Sequence, residues 1–281
     1  MIAAPPQSSL NFRLAGGAQP LILIPVSVNG EPARDFILDT GAGTTLLSPE
    51  FARELNVEIT GSKEGQSAGG KTTVQLGQVR SMTVGRRSRD QVDVAIIDLS
   101  HLSRAVGAQI HGDLGYNFLR HFRLTIDFRR NKIRFDEPNR VDYFGPVALA
   151  EVPIRLAHPS KPLIMVDTFV NESGPFCFAI DTGTSTTAIS ADLARDLHLT
   201  GRPIPQVTTG TNAIDVSAAQ VSALRVGDAN QSNLDVIIGG FLTMLSNVIG
   251  TRLDGIIGYN FLRHYKVVID YPNAILSLFS A

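Results

Sequence analysis

The chain has 281 residues, 43% of them hydrophobic, which is enough apolar material for one large domain or two modest ones and argues against disorder. Its 25 basic and 26 acidic residues give a net charge of −1, so the composition favours neither nucleic acid nor an anionic membrane as a partner. No apolar run approaches the roughly 20 residues that span a bilayer, and no integral membrane segment is expected.

The compartment is left open by the sequence. The single cysteine, Cys177, excludes an intrachain disulfide, but many proteins of oxidising compartments also lack one. Residues 1–12, MIAAPPQSSLNF, have neither the basic nor the apolar stretch of a signal peptide, although they are compatible with the trimmed end of one. We expect a periplasmic or secreted protein if a signal peptide has been removed.

In chain order, the first half reads mostly as β-strands. SPEFARELNV (48–57) predicts a helix with Ser48 as its N-cap and Pro49 at the first helical position, and NFLRH (117–121) predicts a second helix. QSAGGKTTVQL (66–76) predicts a hairpin between them. Short segments rich in Val, Ile, Phe and Thr predict strands at 22–28, 82–85, 91–97, 122–128 and 131–135.

The second half repeats the first. Residues 21–41 align without a gap over residues 163–183, 142 positions later, and GYNFLRH at 115–121 recurs at 258–264. A proline-rich linker, with room for one strand, joins the repeats. We therefore expect an N-terminal arm at 1–20 and two lobes at 21–145 and 146–281, each of the usual size of a domain. The fold class is all-β: two homologous β-barrel lobes related by a pseudo-twofold axis, with a few short helices.

The repeat duplicates a short acidic loop. FILDTGAGTTLLS at 36–48 corresponds to FAIDTGTSTTAIS at 178–190. A loop near a twofold axis meets its own copy, so Asp39 and Asp181 are expected to face each other. Two carboxyl groups that close share one proton, and such a pair can take a proton from water while donating one to a carbonyl oxygen. The sequence therefore predicts general acid–base attack of water on an amide, with no covalent intermediate.

The neighbours of the two aspartates suit this chemistry. Gly41 and Gly183 allow tight turns that bring backbone amides to the carboxylates. The hydroxyls of Thr40 and Thr182 can bond across to the opposite loop.

The residue that follows each Asp-Thr-Gly differs between the loops. Thr184 can donate to Asp181 and favour its charged form, whereas Ala42 offers nothing to Asp39. We therefore expect an asymmetric pair in which Asp39 is more readily protonated.

The motifs ILDTGA, AIDTGT and DGIIGYNFL resemble those of aspartic peptidases of the retropepsin-like and pepsin-like kind. The chain is most similar to bacterial proteins with two retropepsin-like domains in one chain, and the resemblance runs from about residue 21 to the end. It implies two acid-protease-like lobes and an aspartic endopeptidase that hydrolyses peptide bonds with Asp39 and Asp181. The implied partner is a peptide or protein substrate, bound by a monomer whose two lobes pair within one chain.

By the same resemblance, the two glycine hairpins would be flaps that close over the substrate. Their tips lie near Gly69 and Gly70 in the first lobe and near Gly210 and Thr211 in the second.

No cofactor and no metal are expected. His121 and His264 repeat within NFLRH, but neither has a second ligand four residues further on.

Asp113 departs from the family pattern. HGDLG in the first lobe stands where the second lobe has DGIIG, so a carboxylate takes an apolar position. A third carboxylate beside Asp39 would raise the pKa of the pair through repulsion. Contact of Asp113 with solvent or with an arginine is an equally open alternative.

Other functions are compatible with parts of the sequence. One is a catalytically weak or inactive protein with the same two lobes that binds peptide without cutting it. Another is a glycosidase, which would need two carboxylates in distinct roles rather than in equivalent ones. A third arrangement pairs each lobe with the same lobe of another chain, although the short linker favours pairing within one chain.

Overall fold

The computed structural model describes residues 9–67, 70–137, 147–159, 161–208 and 213–281. Within these ranges the chain forms 22 β-strands and six short helices, so the predicted all-β class is confirmed.

The first lobe is built from one eight-stranded sheet. In chain order its strands are β2 (Arg13–Ala15), β3 (Leu21–Val28), β4 (Arg34–Leu38), β5 (Thr45–Leu47), β6 (Ile59–Ser67), β7 (Gly70–Val84), β8 (Arg87–Ile96) and β9 (Gly112–Leu114). The strand order is β2-β3-β4-β9-β5-β8-β7-β6, and an additional pairing of β3 with β7 closes six of the strands into a ring.

The second lobe repeats this sheet. Its strands are β13 (Arg155–His158), β14 (Lys161–Val170), β15 (Ser173–Ile180), β16 (Ala188–Ser190), β17 (Arg202–Thr208), β18 (Ala213–Val226), β19 (Ala229–Gly239) and β20 (Gly255–Ile257). The order β13-β14-β15-β20-β16-β19-β18-β17, with an additional pairing of β14 with β18, matches the first lobe strand for strand.

A third sheet joins the lobes. Its six strands are β1 (Leu10–Asn11), β10 (Arg123–Asp127), β11 (Lys132–Asp136), β12 (Ala150–Pro153), β21 (Tyr265–Asp270) and β22 (Ile275–Ser280). The order is β1-β11-β10-β21-β22-β12, three strands from each repeat. At its centre β10 and β21 run antiparallel with Thr125 opposite Val268. These two residues are equivalent in the repeat, so the pairing is that of a pseudo-twofold axis.

The helices lie between strands in the same places in both lobes. They are α1 (Pro49–Glu54), α2 (Ser100–Val106), α3 (Tyr116–Leu119), α4 (Ala191–Asp196), α5 (Phe241–Ile249) and α6 (Tyr259–Leu262). The predicted N-cap is confirmed: the Ser48 side chain accepts from the amide of Phe51, and the equivalent Ser190 side chain accepts from the amide of Leu193. None of the helices in the described ranges is long and apolar enough to cross a membrane.

The prediction of two helices per lobe was wrong, because each lobe also has α2 or α5. These helices follow Leu99 and Gly240, which give no side-chain cap. For α2, Asp98 accepts from the amide of Ser100 one position earlier than a usual cap. Both helices end at a glycine in the left-handed region, Gly107 and Gly250, and this end signal could have marked them.

One buried core extends through both lobes and the joining sheet. It contains Phe36 and Phe118 of the first lobe and Phe178 and Phe261 of the second, all without solvent exposure. A smaller apolar cluster with Leu99 and Val106 holds α2 on the first lobe. A corresponding cluster holds α5 on the second.

The residues expected to form an N-terminal arm contribute two short strands. Leu10–Asn11 pairs with β11, and Arg13–Ala15 pairs with β3. The linker contributes β12 and β13 rather than one strand. The predicted lobe boundaries at residues 20 and 145 stay a prediction.

The N-cap of α1 gives a test of the local fold. Replacing Ser48 by Ala removes the acceptor of the 3.2 Å bond from the amide of Phe51 and should lower the free energy of unfolding by about 1 kcal/mol. Urea denaturation followed by circular dichroism measures this change. Ser62→Ala, at an exposed position of β6, is the control and should change stability by less than about 0.5 kcal/mol. Equal stability of the two variants would contradict the cap.

Candidate active site

The two Asp-Thr-Gly loops follow equivalent strands. Asp39 comes directly after β4, and its amide donates to the carbonyl of Leu114 on β9 at 3.2 Å. Asp181 comes directly after β15, and its amide donates to the carbonyl of Ile257 on β20 at 3.1 Å. Each aspartate is therefore fixed at the end of a buried parallel strand pair, which leaves its side chain little freedom.

The threonines of the two loops bond across the lobe boundary. The Thr40 hydroxyl donates to the carbonyl of Ile180 at 2.9 Å, and the Thr182 hydroxyl donates to the carbonyl of Leu38 at 2.7 Å. Each hydroxyl also accepts from the backbone amide of the other threonine at 3.1 Å. Both residues are buried. These are the cross-loop bonds that the sequence predicted, and they hold the loops in reciprocal positions.

Each carboxyl group is held by its own loop. Oδ1 of Asp39 accepts from the amides of Gly41 at 2.7 Å and Ala42 at 3.0 Å. The expectation that Ala42 offers nothing to Asp39 was therefore wrong for the backbone, although it holds for the side chain. Oδ1 of Asp181 accepts from the amide of Gly183 at 2.7 Å, and Oδ2 accepts from the Thr184 hydroxyl at 2.8 Å.

The glycines are required by the close approach of the loops. A Cβ atom at Gly41 would lie 2.6 Å from Cγ of Asp181, and one at Gly183 would lie 2.6 Å from Cγ of Asp39. Each carboxyl group thus lies so close to the glycine of the opposite loop that no side chain fits at that position. The two aspartates are also hydrogen-bonded to each other through their side chains.

Burial and mutual repulsion favour protonation of this pair. Burial raises the pKa of Asp39 well above its ordinary value, and the charge of Asp113 and a hydrogen bond with Asp113 raise it further. Burial and the charge of Asp39 raise the pKa of Asp181, while the Thr184 hydroxyl and the Gly183 amide oppose the rise. Asp39 has two carboxyl neighbours, whereas Asp181 has a hydroxyl donor, so the surroundings of the two groups differ. The hydrogen bond between them lowers the pKa of Asp39 and raises that of Asp181. The expectation that Asp39 is the more readily protonated member stays a prediction.

Asp113 belongs to this site. It is 4% exposed, and its side chain is hydrogen-bonded to that of Asp39, so neither solvent nor an arginine is its partner. Burial raises the pKa of Asp113 to about 7, although the hydrogen bond with Asp39 opposes the rise; the charge of Asp181 adds to it. The structure therefore decides between the alternatives that the sequence left open.

One further group at the site, the hydroxyl of Tyr271, was not found from the sequence. The Tyr271 hydroxyl is buried without a partner among the described residues, and burial, followed by the charge of Asp39, raises its pKa. Its ring contacts that of Tyr116, 5.8 Å between centroids. The residue of the first lobe that is equivalent to Tyr271 is Phe128. This difference between the repeats is visible in the sequence and could have indicated Tyr271.

Two asparagines brace the loops. Oδ1 of Asn117 accepts from the amide and the hydroxyl of Thr45, both at 2.8 Å, and Oδ1 of Asn260 accepts in the same way from Thr187. The identical GYNFLRH segments carried this signal, because both asparagines lie within them.

The predicted flap tips lie mainly outside the described residues. Gly69, Gly210 and Thr211 are not among them, and Gly70 is the first residue of β7, paired with Ser67 of β6. The hairpin itself is present in the first lobe, and the part played by its tip stays a prediction.

Two closed β-lobes joined by a common sheet, with a pair of Asp-Thr-Gly loops at their boundary, define an aspartic protease fold. A family model described as "Aspartyl protease" matches the chain twice, at residues 24–118 and 166–261, which together make up more than half of its length. The chain therefore belongs to the aspartyl protease family and has two retropepsin-like domains in one chain. No curated protein was found to match it.

The cross-loop bonds give a second test. Thr182→Val leaves the buried carbonyl of Leu38 and the buried amide of Thr40 without their partner and should lower the free energy of unfolding by roughly 2–5 kcal/mol. Thr182→Ser keeps the hydroxyl and should lose only about 1 kcal/mol for the missing methyl group. Denaturant unfolding of both variants measures the difference. A valine variant as stable as the serine variant would show that the bonds do not hold the loops.

Proposed function

We propose that the protein is an aspartic endopeptidase that hydrolyses peptide bonds in peptides or proteins. The observation that carries the proposal is the reciprocal position of the two carboxyl groups. Each lies against the glycine of the opposite loop, and the two are hydrogen-bonded to each other. Membership of the aspartyl protease family supports a hydrolase, and the geometry supports Asp39 and Asp181 as its catalytic pair.

The chemistry follows from the proton held by this pair. Asp181, ionised and supported by the Thr184 hydroxyl, takes a proton from a water molecule while the water oxygen bonds to the peptide carbonyl carbon. Asp39 gives its proton to the carbonyl oxygen, so a neutral tetrahedral diol forms. The protons then return: Asp181 protonates the nitrogen, Asp39 takes a proton from one hydroxyl of the diol, and the C–N bond breaks. The products are a carboxylic acid and an amine.

The loops supply this reaction with fixed geometry. The cross-loop bonds of Thr40 and Thr182 prevent the repelling carboxyl groups from moving apart. The loop amides hold Oδ1 of each carboxyl group, and the Thr184 hydroxyl holds Oδ2 of Asp181, so both groups are oriented before water and substrate bind. Positioning of this kind lowers the barrier, because little rearrangement is needed when the proton moves.

The raised pKa values of the pair predict an activity optimum less acid than that of pepsin. A single dyad in one chain also predicts that each chain carries one complete site, formed by both lobes.

Cleavage of a diverse peptide mixture, read by mass spectrometry from about pH 3 to about pH 8, tests the function and gives its pH dependence. The wild-type protein should cut, and Asp181→Asn should remove every cut, since an amide cannot act as the base. Asp228→Asn, at an exposed position between β18 and β19, is the matched control and should cut as the wild type does.

Cuts that survive in Asp181→Asn would contradict the proposed mechanism. Binding of peptides without cleavage at any pH, by a folded wild-type protein, would instead support the alternative of a peptide-binding protein.

A further inference from the structure

The two halves of the site differ in a matched way. In the second lobe the Thr184 hydroxyl donates to Oδ2 of Asp181 at 2.8 Å, and β20, the strand beside β15, carries the apolar Ile256. In the first lobe the residue equivalent to Thr184 is Ala42, which has no hydroxyl, and the residue equivalent to Ile256 is Asp113. One lobe therefore has a hydroxyl on the loop, and the other has a carboxyl group on the neighbouring strand.

The sheet places the Asp113 side chain next to Asp39. In the parallel pairing of β4 with β9, Asp113 lies opposite Ile37. Asp39 is two residues beyond Ile37, so its side chain emerges on the same face as those of Ile37 and Asp113. The two side chains are close enough to interact, since the charge of Asp113 and a hydrogen bond with it raise the pKa of Asp39.

The surroundings of Asp113 are apolar apart from the carboxyl pair. Its strand neighbours in register are Ile37 on β4 and Leu46 on β5. No amide or hydroxyl of the described residues reaches its buried Oδ1 atom. The titratable groups that face it are Asp39, which is hydrogen-bonded to it, and Asp181. Within the part of the chain that the structure describes, this buried carboxyl group therefore interacts with the catalytic pair.

We propose that Asp113 is a positioning residue of the catalytic pair: when it is neutral, its carboxyl O–H donates to Asp39 in the place that the Thr184 hydroxyl takes for Asp181. The proposal rests on the proposed peptidase function and adds to it a third carboxyl group that must be neutral.

A neutral Asp113 assists Asp39 at two stages. While Asp39 is protonated, it accepts from Asp113 at one oxygen, and its own O–H is left to face the substrate carbonyl. When Asp39 gives up that proton, the Asp113 O–H donates to a newly charged oxygen, and hydrogen bonds to charged acceptors are the stronger kind. No atom of Asp113 is transferred, so the balance of the reaction is unchanged.

Ionisation of Asp113 reverses this hydrogen bond. The pKa of Asp113 is about 7, and above that pH only Asp39 can donate between the two. The Asp39 proton is then directed to Asp113 instead of the substrate, and the nearby charge raises the pKa of Asp39. Activity should therefore fall as the pH rises through about 7.

Three variants separate the role of the O–H from a merely structural one. Asp113→Asn keeps a donor but cannot ionise. Asp113→Val removes the donor. Valine is used instead of isoleucine, the residue of the second lobe, because Ile37 and Leu46 beside Asp113 are larger than Ala179 and Ala188 beside Ile256. Ala42→Thr combined with Asp113→Val builds the arrangement of the second lobe into the first.

The pH profile of kcat is the readout. Asp113→Val should lower kcat by roughly 10- to 100-fold, the effect of losing one hydrogen bond to a charged group. Asp113→Asn should lower kcat less, and the fall of kcat at alkaline pH should move to higher pH. The variant that combines Ala42→Thr with Asp113→Val should have a kcat at least about tenfold higher than that of Asp113→Val alone. Its pH profile should also lack the fall near pH 7.

A second readout does not depend on activity. A carboxyl group whose pKa is raised on folding stabilises the fold below its ordinary value of 3.8, and this contribution is lost as the pH rises through about 7. The unfolding midpoint of the wild type should thus match that of Asp113→Asn near pH 4 and fall below it by a margin that grows up to about pH 7. In an Asp181→Asn background the margin should shrink, because the charge of Asp181 that raises the pKa of Asp113 is gone.

The outcomes distinguish the two proposals. A wild-type protein that cuts nothing overturns the proposed function, and the unfolding midpoints then decide alone whether Asp113 is coupled to the carboxyl pair. A midpoint difference that does not vary with pH, or that is unchanged by Asp181→Asn, overturns the role of Asp113. An unaltered pH profile in Asp113→Asn overturns it as well, as does a double variant no more active than Asp113→Val.

Discussion

The reciprocal hydrogen bonds of Thr40 and Thr182 are the constraint on which the rest of the site depends. Two buried carboxyl groups repel each other when ionised, and only a rigid frame keeps them within hydrogen-bonding distance. The frame consists of two hydroxyls that each bond to the opposite loop, in a buried boundary supported by a sheet shared between the lobes. Side chains larger than a hydrogen atom at Gly41 and Gly183 would force the loops apart. Both repeats of the fold thus contribute to one boundary, which holds the two carboxyl groups together.

Differences between the repeats make this boundary asymmetric. A single chain can change one loop without changing the other, which two identical chains cannot do. Here Ala42 differs from Thr184, Asp113 from Ile256, and Phe128 from Tyr271. All three differences fall on groups at or beside the carboxyl pair, so the two carboxyl groups have different surroundings. In the proposed mechanism this asymmetry gives them the distinct roles of acid and base.

The sequence predicted the features that depend on local pattern or on duplication. The repeated Asp-Thr-Gly loops, the strands and the cap at Ser48 are read from short stretches. The location of Asp113 is not, because its contact with Asp39 depends on the parallel register of β9 with β4, two strands more than 70 residues apart in the chain. Helices α2 and α5 were missed because Leu99 and Gly240 provide no cap signal. The unpaired hydroxyl of Tyr271 was missed because burial is a property of the packed core.

The most direct test of the account is whether one chain holds one complete carboxyl pair. Peptide cleavage is measured for Asp39→Asn, for Asp181→Asn and for an equal mixture of the two. If the pair forms within each chain, both variants and their mixture are inactive. Activity that persists in either single variant would show that each lobe pairs with its own copy in another chain. Activity that returns only on mixing would show that the first lobe of one chain pairs with the second lobe of another.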